Sequence, residues 1–179
     1  MGVKNYLVDG VSCTGKSAVG AELQRRGYHV IHGDEELACW GDLNTGKPVN
    51  GSAGEHRAWI WDVEQVSALV ADQSHAATFF CGGSRNSDRF IALFDAVFVL
   101  EIDLDTLNRR LAARPEDAWG GTASEGESFA RLQHATKAGL PTNAITIDAT
   151  GLLSSVVDTV LAMTTSQDCG RGWRDHIAN

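Results

Sequence analysis

The chain has 179 residues, 43 % of them apolar and 21 % charged, with a net charge of −8. That is length for one well-filled core and a globular composition. An acidic chain without a run of Lys and Arg argues against a nucleic-acid or anionic-membrane partner, and no stretch is apolar for long enough to be a signal peptide or a membrane span.

Residues 4–9 read as the first strand, carrying the apolar run Tyr6-Leu7-Val8. Behind it stands Gly10-Val11-Ser12-Cys13-Thr14-Gly15-Lys16-Ser17. This fits G-x-x-x-x-G-K-[ST], in the strand–loop–helix setting that a phosphate-binding loop requires. Glycines let the backbone curl until its N–H groups face phosphate oxygens, and the next helix puts its positive end on the same anion. Lys16 offers a point charge to the outer phosphates, and the Ser17 hydroxyl is placed to ligate Mg2+. The candidate nucleotide site is therefore Gly10, Ser12, Cys13, Thr14, Gly15, Lys16 and Ser17, with Ala18 just beyond.

Residues 15–26 place Ala18, Val19, Ala21 and Leu23 at helical spacing, and Gly27 closes the helix. Residues 28–32 are a short strand that meets Gly33 and the acidic run Asp34-Glu35-Glu36. Residues 38–56 show no period beyond a turn at 42–48. Residues 57–72 carry Ala58, Ile60, Trp61, Val63, Val66, Leu69 and Val70, which predicts a helix with Trp59 and Trp61 on different faces. Residues 77–81 are a buried strand stopped by Gly82-Gly83, residues 87–94 a short helix, and residues 96–102 the strongest strand. Asp103 and Asp105 are N-cap candidates for a helix through Arg114, which Pro115 breaks. A polar loop over 115–126, a helix over 127–138, a strand over 144–147 and a helix over 152–163 follow. From Thr164 the period is lost and fraying is expected. The expected domain is residues 1–164, with a tail over 165–179.

Cys13, Cys39, Cys81 and Cys169 have neither C-x-x-C nor zinc-finger spacing. This favours reduced thiols in a cytoplasmic chain over a disulfide framework or a structural zinc. Strands that alternate with helices and are apolar throughout predict an α/β fold, with a parallel sheet covered on both faces. Right-handed crossovers then bring the strand ends and the phosphate loop to one edge.

The loop and the order of elements resemble the P-loop small-molecule and nucleotide kinases, shikimate kinase-like and adenylate kinase-like, over residues 4–163. The resemblance implies a three-layer αβα P-loop NTPase fold. Its sheet would have five parallel strands in order 2-3-1-4-5, and a lid at about 114–127 would follow the fourth strand. It further implies a phosphotransferase that uses ATP and Mg2+ to phosphorylate a small-molecule acceptor. Asp34 stands where such kinases keep an acidic pair for the acceptor hydroxyl. The first acid of that pair is His32 here, which leaves Asp34 as base or orienting carboxylate. Arg57 matches an arginine that grips the acceptor's anionic group, and Gly82, Gly83 and Arg85 match a glycine-rich acceptor loop. Arg110 and Arg114 lie one helical turn apart and match arginines at the lid base, one near the nucleotide and one closing on the transferring phosphoryl group. Lys16, Asp34 and Arg114 thus form the candidate catalytic set. Ala149 and Thr150 match the loop that lies against adenine.

Arg57 and Arg85 favour an anionic acceptor, either a nucleoside monophosphate or a hydroxylated carboxylate metabolite. The chain fits a monomer or a homodimer. Cys81 stands where other P-loop NTPases often carry an acid that supports Mg2+. Together with His32, a lid without Lys or Arg between Arg114 and Arg131 leaves a second reading open: a nucleotide-binding regulatory protein with weak or no transferase activity. A GTPase switch is disfavoured, because N-K-x-D is absent and the D-x-x-G of Asp117 and Gly120 falls in the lid.

Overall fold

The computed structural model describes residues 3–49, 57–113 and 144–171. Along the chain run β1 (Lys4–Asp9), α1 (Lys16–Arg25), β2 (His29–His32), α2 (Gly33–Glu36), β3 (Ala38–Asp42), β4 (Lys47–Pro48), β5 (Arg57–Trp61) and α3 (Val63–Ala71). Then come β6 (Ala77–Cys81), β7 (Ala96–Glu101), α4 (Leu104–Ala112), β8 (Ala144–Asp148) and α5 (Leu153–Arg171).

β1 is the centre, buried from Asn5 onward. It pairs with β6 on one side and β7 on the other, while β2 lies beyond β6 and β8 beyond β7, all parallel. Counted along the chain, the parallel strands stand in the order 2-3-1-4-5 that the resemblance implies. Alternation along β1 builds two cores. Tyr6 and Val8 share one cluster with Val19 and Leu23 of α1 and Val157 of α5. Leu7 points the other way, into a cluster with Ile31, Trp61, Val66, Phe80 and Phe90. Residues i and i+2 share a strand face, so one apolar run serves both layers of the αβα arrangement.

Phe79 is fully buried, with its ring 5.1 Å from that of Tyr6 and 5.5 Å from that of Tyr28. Phe79→Ala is expected to destabilise the fold by about 3–5 kcal/mol. A urea melt reads this as a lower midpoint, and an unchanged midpoint would place the ring outside the core.

Three segments differ from their sequence pattern. Residues 57–61 form a strand, not the start of a helix. With β3 and β4 they make a second, antiparallel sheet in order β4-β3-β5. Ala58 and Ile60 are buried while Trp59 between them is 42 % exposed, a two-residue alternation. The helical spacing from Val63 onward masked it. The helix starts only after Asp62, whose carboxylate caps it by accepting from the Glu64 and Gln65 N–H groups. The turn expected at 42–48 joins β3 to β4. Asp42 Oδ1 accepts from the N–H groups of Asn44 and Thr45, and Gly46 takes a φ of 69°.

Residues 87–94 form two short 3-10 turns, Ser87–Arg89 and Ile91–Leu93. Phe90 and Phe94 anchor them in the core, and the segment is too short to sustain a helix of its own. Helix α5 runs on past Thr164 to Arg171 instead of fraying. The Thr164 and Thr165 hydroxyls donate back to the Leu161 and Ala162 carbonyls, so neither competes with the helix. The lid at 114–127 and the helix expected over 127–138 lie outside the described residues. Cys13, Cys39 and Cys81 carry free thiols. No helix among the described residues is long and apolar enough to cross a membrane.

Candidate nucleotide and acceptor site

The ends of β1, β2, β6 and β8 meet at one edge of the sheet, and the phosphate loop curls there. Gly15 holds a left-handed φ of 104° at the N-cap of α1, a conformation that costs a side chain roughly 1–2 kcal/mol. Cys13 is the only non-glycine with positive φ among the described residues, at 68°. Strain of this kind gathers at ligand clamps. Thr14, fully buried, donates its hydroxyl to the Val11 carbonyl at 2.8 Å and pins the curl from inside. Lys16 Nζ reaches back across the loop, 2.7 Å from the Gly10 carbonyl and 3.1 Å from that of Val11. Ser12, Ser17 and Ala18 are exposed at its mouth.

Arg110 of α4 clamps this loop to the far side of the site. One guanidinium nitrogen donates to the Cys13 and Thr14 carbonyls at 3.0 and 2.7 Å, and the other donates to the Ala149 carbonyl at 2.7 Å. Beside it opens a cavity of about 270 Å³. Thr14, Gly15, Ala18, Arg110 and Ala149 line it, as do Gly151, Leu153 and Val156, which the sequence did not single out. Leu153 and Val156 stand three apart in the first turns of α5, and by pattern alone they read as core. Thr150 turns away, its N–H and hydroxyl both donating to Asp148 Oδ1. Those two bonds hold the Asp148 carboxyl below the usual carboxylate range.

Across the loop, Asp34 of α2 extends its carboxylate to the glycine pair after β6, where Oδ1 accepts from the Gly83 N–H at 3.1 Å. Gly82 permits the approach. A Cβ there would lie 2.6 Å from the Trp61 ring and 2.8 Å from Asp34 Oδ1. Trp61 is fully buried, stacked on Phe90 with centroids 5.5 Å apart. Its indole Nε1–H has no partner among the described residues. Asn86, also buried, ties the loop after β6 to β5. It accepts from the Trp61 N–H at 3.1 Å and donates to the Trp61 carbonyl at 2.9 Å, and the Ser84 hydroxyl donates to its Oδ1. Trp59 faces solvent, edge-on to Trp40 at 5.3 Å.

Not every candidate converges here. Arg85 is exposed, two residues past Gly83. Arg57 opens β5 opposite Asp42. Its backbone is four residues from Trp61, about 13 Å along the strand, at the end remote from Asp34. Arg114 lies outside the described residues.

Asp9 is the residue that sequence reasoning missed. It ends β1 directly before the loop and is 9 % exposed, its Oδ1 accepting from the Gly10 N–H at 2.6 Å. Burial pushes its carboxyl up, the Gly10 N–H and Lys16 pull it down, and Asp34 adds to the rise. A single Asp between an apolar strand and a glycine reads as a strand end. Only the topology brings Gly83 and Asp34 to it.

The relation to known structures is now clear. A gluconokinase from Sinorhizobium meliloti 1021 has a TM-score of 0.56 at 18 % identity, over 96 % of this chain and 97 % of that one. A sugar kinase from Janibacter sp. HTCC2649 has 0.55 at 16 %, over 89 % and 93 %. The fold is that of the P-loop kinases. The YorR protein from Bacillus subtilis, solved with phosphorylated GDP, also shares it, with 0.55 at 15 % over 90 % and 96 %. No family model matches the chain, and no curated protein matches its sequence. Within the P-loop kinase fold, the Ser17 hydroxyl and the Asp9 and Asp34 carboxylates are a hard oxygen set that suits Mg2+. Among the described residues no three His, Cys, Asp or Glu side chains group to hold a metal by themselves. A Mg2+ ion here would take its other ligands from phosphate and water, as it does in phosphoryl-transfer sites.

Proposed function

We propose that the chain is an ATP-dependent phosphotransferase that moves the γ-phosphoryl group to a small acceptor. The observation that carries this reading is the alignment of three features along one sheet edge. These are the cavity beneath Arg110, the phosphate loop with Lys16 and Ser17, and the Asp34 carboxylate held by Gly83. A nucleotide spanning cavity and loop would present its terminal phosphate toward Asp34. Mg2+, when bound, would neutralise charge on the outer phosphates, with Ser17 as its protein ligand. Lys16 would leave the Gly10 and Val11 carbonyls for the phosphates. Asp34 would orient the acceptor and take its hydroxyl proton. Phosphoryl transfer needs little beyond such positioning and charge neutralisation.

The gluconokinase and sugar kinase of the same fold support a small acceptor, and the phosphorylated GDP bound to YorR supports a nucleotide ligand. Arg85, exposed two residues past Gly83, favours an anionic acceptor. It would be a nucleoside monophosphate or a hydroxylated carboxylate. The described elements, α5 included, would act as one domain in the cytoplasm, where the free thiols stay reduced.

The test is transfer of labelled γ-phosphate from Mg-ATP to a pool of phosphorylatable metabolites, with product formation expected. His32 favours the regulatory alternative, since its Nε2 faces Gln24 at 3.5 Å and gives Asp34 no acidic twin from β2. ATP binding without any labelled product would decide for that alternative. Arg110→Ala is expected to weaken ATP binding by about 10- to 100-fold, the loss of charged hydrogen bonds that shape loop and cavity together. Calorimetry checks this, and equal affinity would separate the cavity from the nucleotide.

A further inference from the structure

A P-loop site that handles Mg-nucleotide benefits from an acid to anchor the water shell of the metal, and Cys81 stands where other P-loop NTPases often carry one. Burial pushes the Cys81 thiol up to about 12, so it remains a neutral, soft group. The neighbouring strand has the acid instead. Val8 of β1 is in register with Cys81 of β6, so Asp9 emerges one residue further along the same edge. We infer that Asp9 supports the nucleotide-bound Mg2+ in this chain, sharing the metal's water shell with Asp34. The inference rests on the nucleotide-binding reading above.

The geometry around Gly83 carries it. A Cβ on Gly83 would lie 3.1 Å from Asp9 Oδ1 and 3.6 Å from Lys16 Cε, while the Gly83 N–H itself holds Asp34 Oδ1. The two carboxylates therefore flank one residue without a side chain, with Lys16 at its shoulder and Ser17 next in the chain. The Gly10 N–H engages Asp9 Oδ1, and Oδ2 is not one of the buried atoms left without a partner. A carboxylate nine-tenths buried is costly unless it is paired and fully hydrogen-bonded. One N–H bond and one lysine are thin compensation, and that lysine is the group the phosphates would draw away. A hard divalent cation with ordered water supplies what is missing at the moment the nucleotide arrives. Conversely, a side chain at position 83 would fill the gap between the two acids.

Asp9→Asn tests the assignment, because its amide oxygen still accepts from the Gly10 N–H. Mn2+ serves as the spectroscopic probe for Mg2+, titrated by electron paramagnetic resonance against protein saturated with a non-hydrolysable ATP analogue. Mn2+ affinity is expected to fall by about 10- to 100-fold, the usual range for a lost outer-shell partner. Affinity for the analogue in EDTA should stay at the parent level. Unchanged Mn2+ affinity overturns the inference, and so does an equal loss in EDTA, which would make Asp9 a brace for the loop alone. If Asp9→Asn folds poorly, Asp34→Asn protein labelled with 13C-aspartate answers instead. A 13C hyperfine signal from the bound Mn2+ is expected there, and its absence counts against Asp9. A parent protein that binds no analogue at all would sink the nucleotide reading itself, a result distinct from a parent and variant that bind metal equally.

Discussion

Lys16→Met should abolish function while leaving the fold intact. The Lys16 stem lies along Gly83, with Cε 3.6 Å from where a Cβ would stand, and the methionine side chain can follow the same path. What it loses is the ammonium that now rests on the Gly10 and Val11 carbonyls. The Val11 carbonyl is half-buried and can turn to water, whereas the Gly10 carbonyl and the Asp9 carboxylate lose compensation, so the melting temperature should fall modestly without loss of the fold. Toward polyphosphate the loss is large. A charged hydrogen bond contributes about 1.5–3 kcal/mol to ground-state binding. A preorganised group aimed at developing transition-state charge contributes a further 2.7–4 kcal/mol or so. Together these predict a fall in kcat/KM of about three to five powers of ten. Initial rates over an ATP titration, measured beside a thermal melt, check both halves. Parent-level kcat/KM in the variant would remove the phosphate loop from the chemistry.

How far the chain discloses such a site depends on how local the information is. The phosphate loop is legible because its chemistry is contiguous: eight neighbouring residues contain the curl, the cation and the metal hydroxyl. The sheet order is legible for another reason. Runs such as Ala96–Glu101 are apolar on both faces, which demands helices on both sides, and crossover handedness then leaves few topologies. Residues 57–61 are harder. Ile60, Val63 and Val66 satisfy a helical period while Ala58 and Ile60 satisfy a strand period. The partner that settles the matter, Ala38–Asp42, lies nineteen residues upstream in a segment without a pattern. The contribution of Asp9 is invisible in one dimension. Its neighbours at positions 34 and 83 are set by strand order, and no spacing rule connects them. Arg110 was reachable only through resemblance, because its three carbonyl partners are backbone atoms and carry no sequence signal.

Asp34→Asn should separate chemistry from nucleotide binding. The substitution keeps an oxygen for the Gly83 N–H, so the junction between α2 and the glycine pair after β6 survives. It removes a negative charge beside Asp9, which leaves capture of metal-free polyphosphate unweakened and loosens only the hold on the metal's water shell. It also removes the base. An amide cannot take a proton from an acceptor hydroxyl, and a positioned base contributes about 10²- to 10⁴-fold. The expected result is ATP affinity in EDTA at the parent level, with kcat at saturating Mg-ATP lowered by about that range. Single-turnover transfer, with nucleotide binding followed separately, resolves the two. The expectation is sharper for hydroxyl acceptors than for phosphate acceptors. A nucleoside monophosphate presents an oxygen that is already ionised and needs no base, only orientation. A large kcat defect therefore points to a hydroxylated carboxylate as acceptor, and a small one with raised acceptor KM points to a monophosphate. Loss of ATP binding in EDTA by Asp34→Asn would contradict both, since it would place Asp34 against the nucleotide itself rather than on the acceptor side of the Gly83 junction.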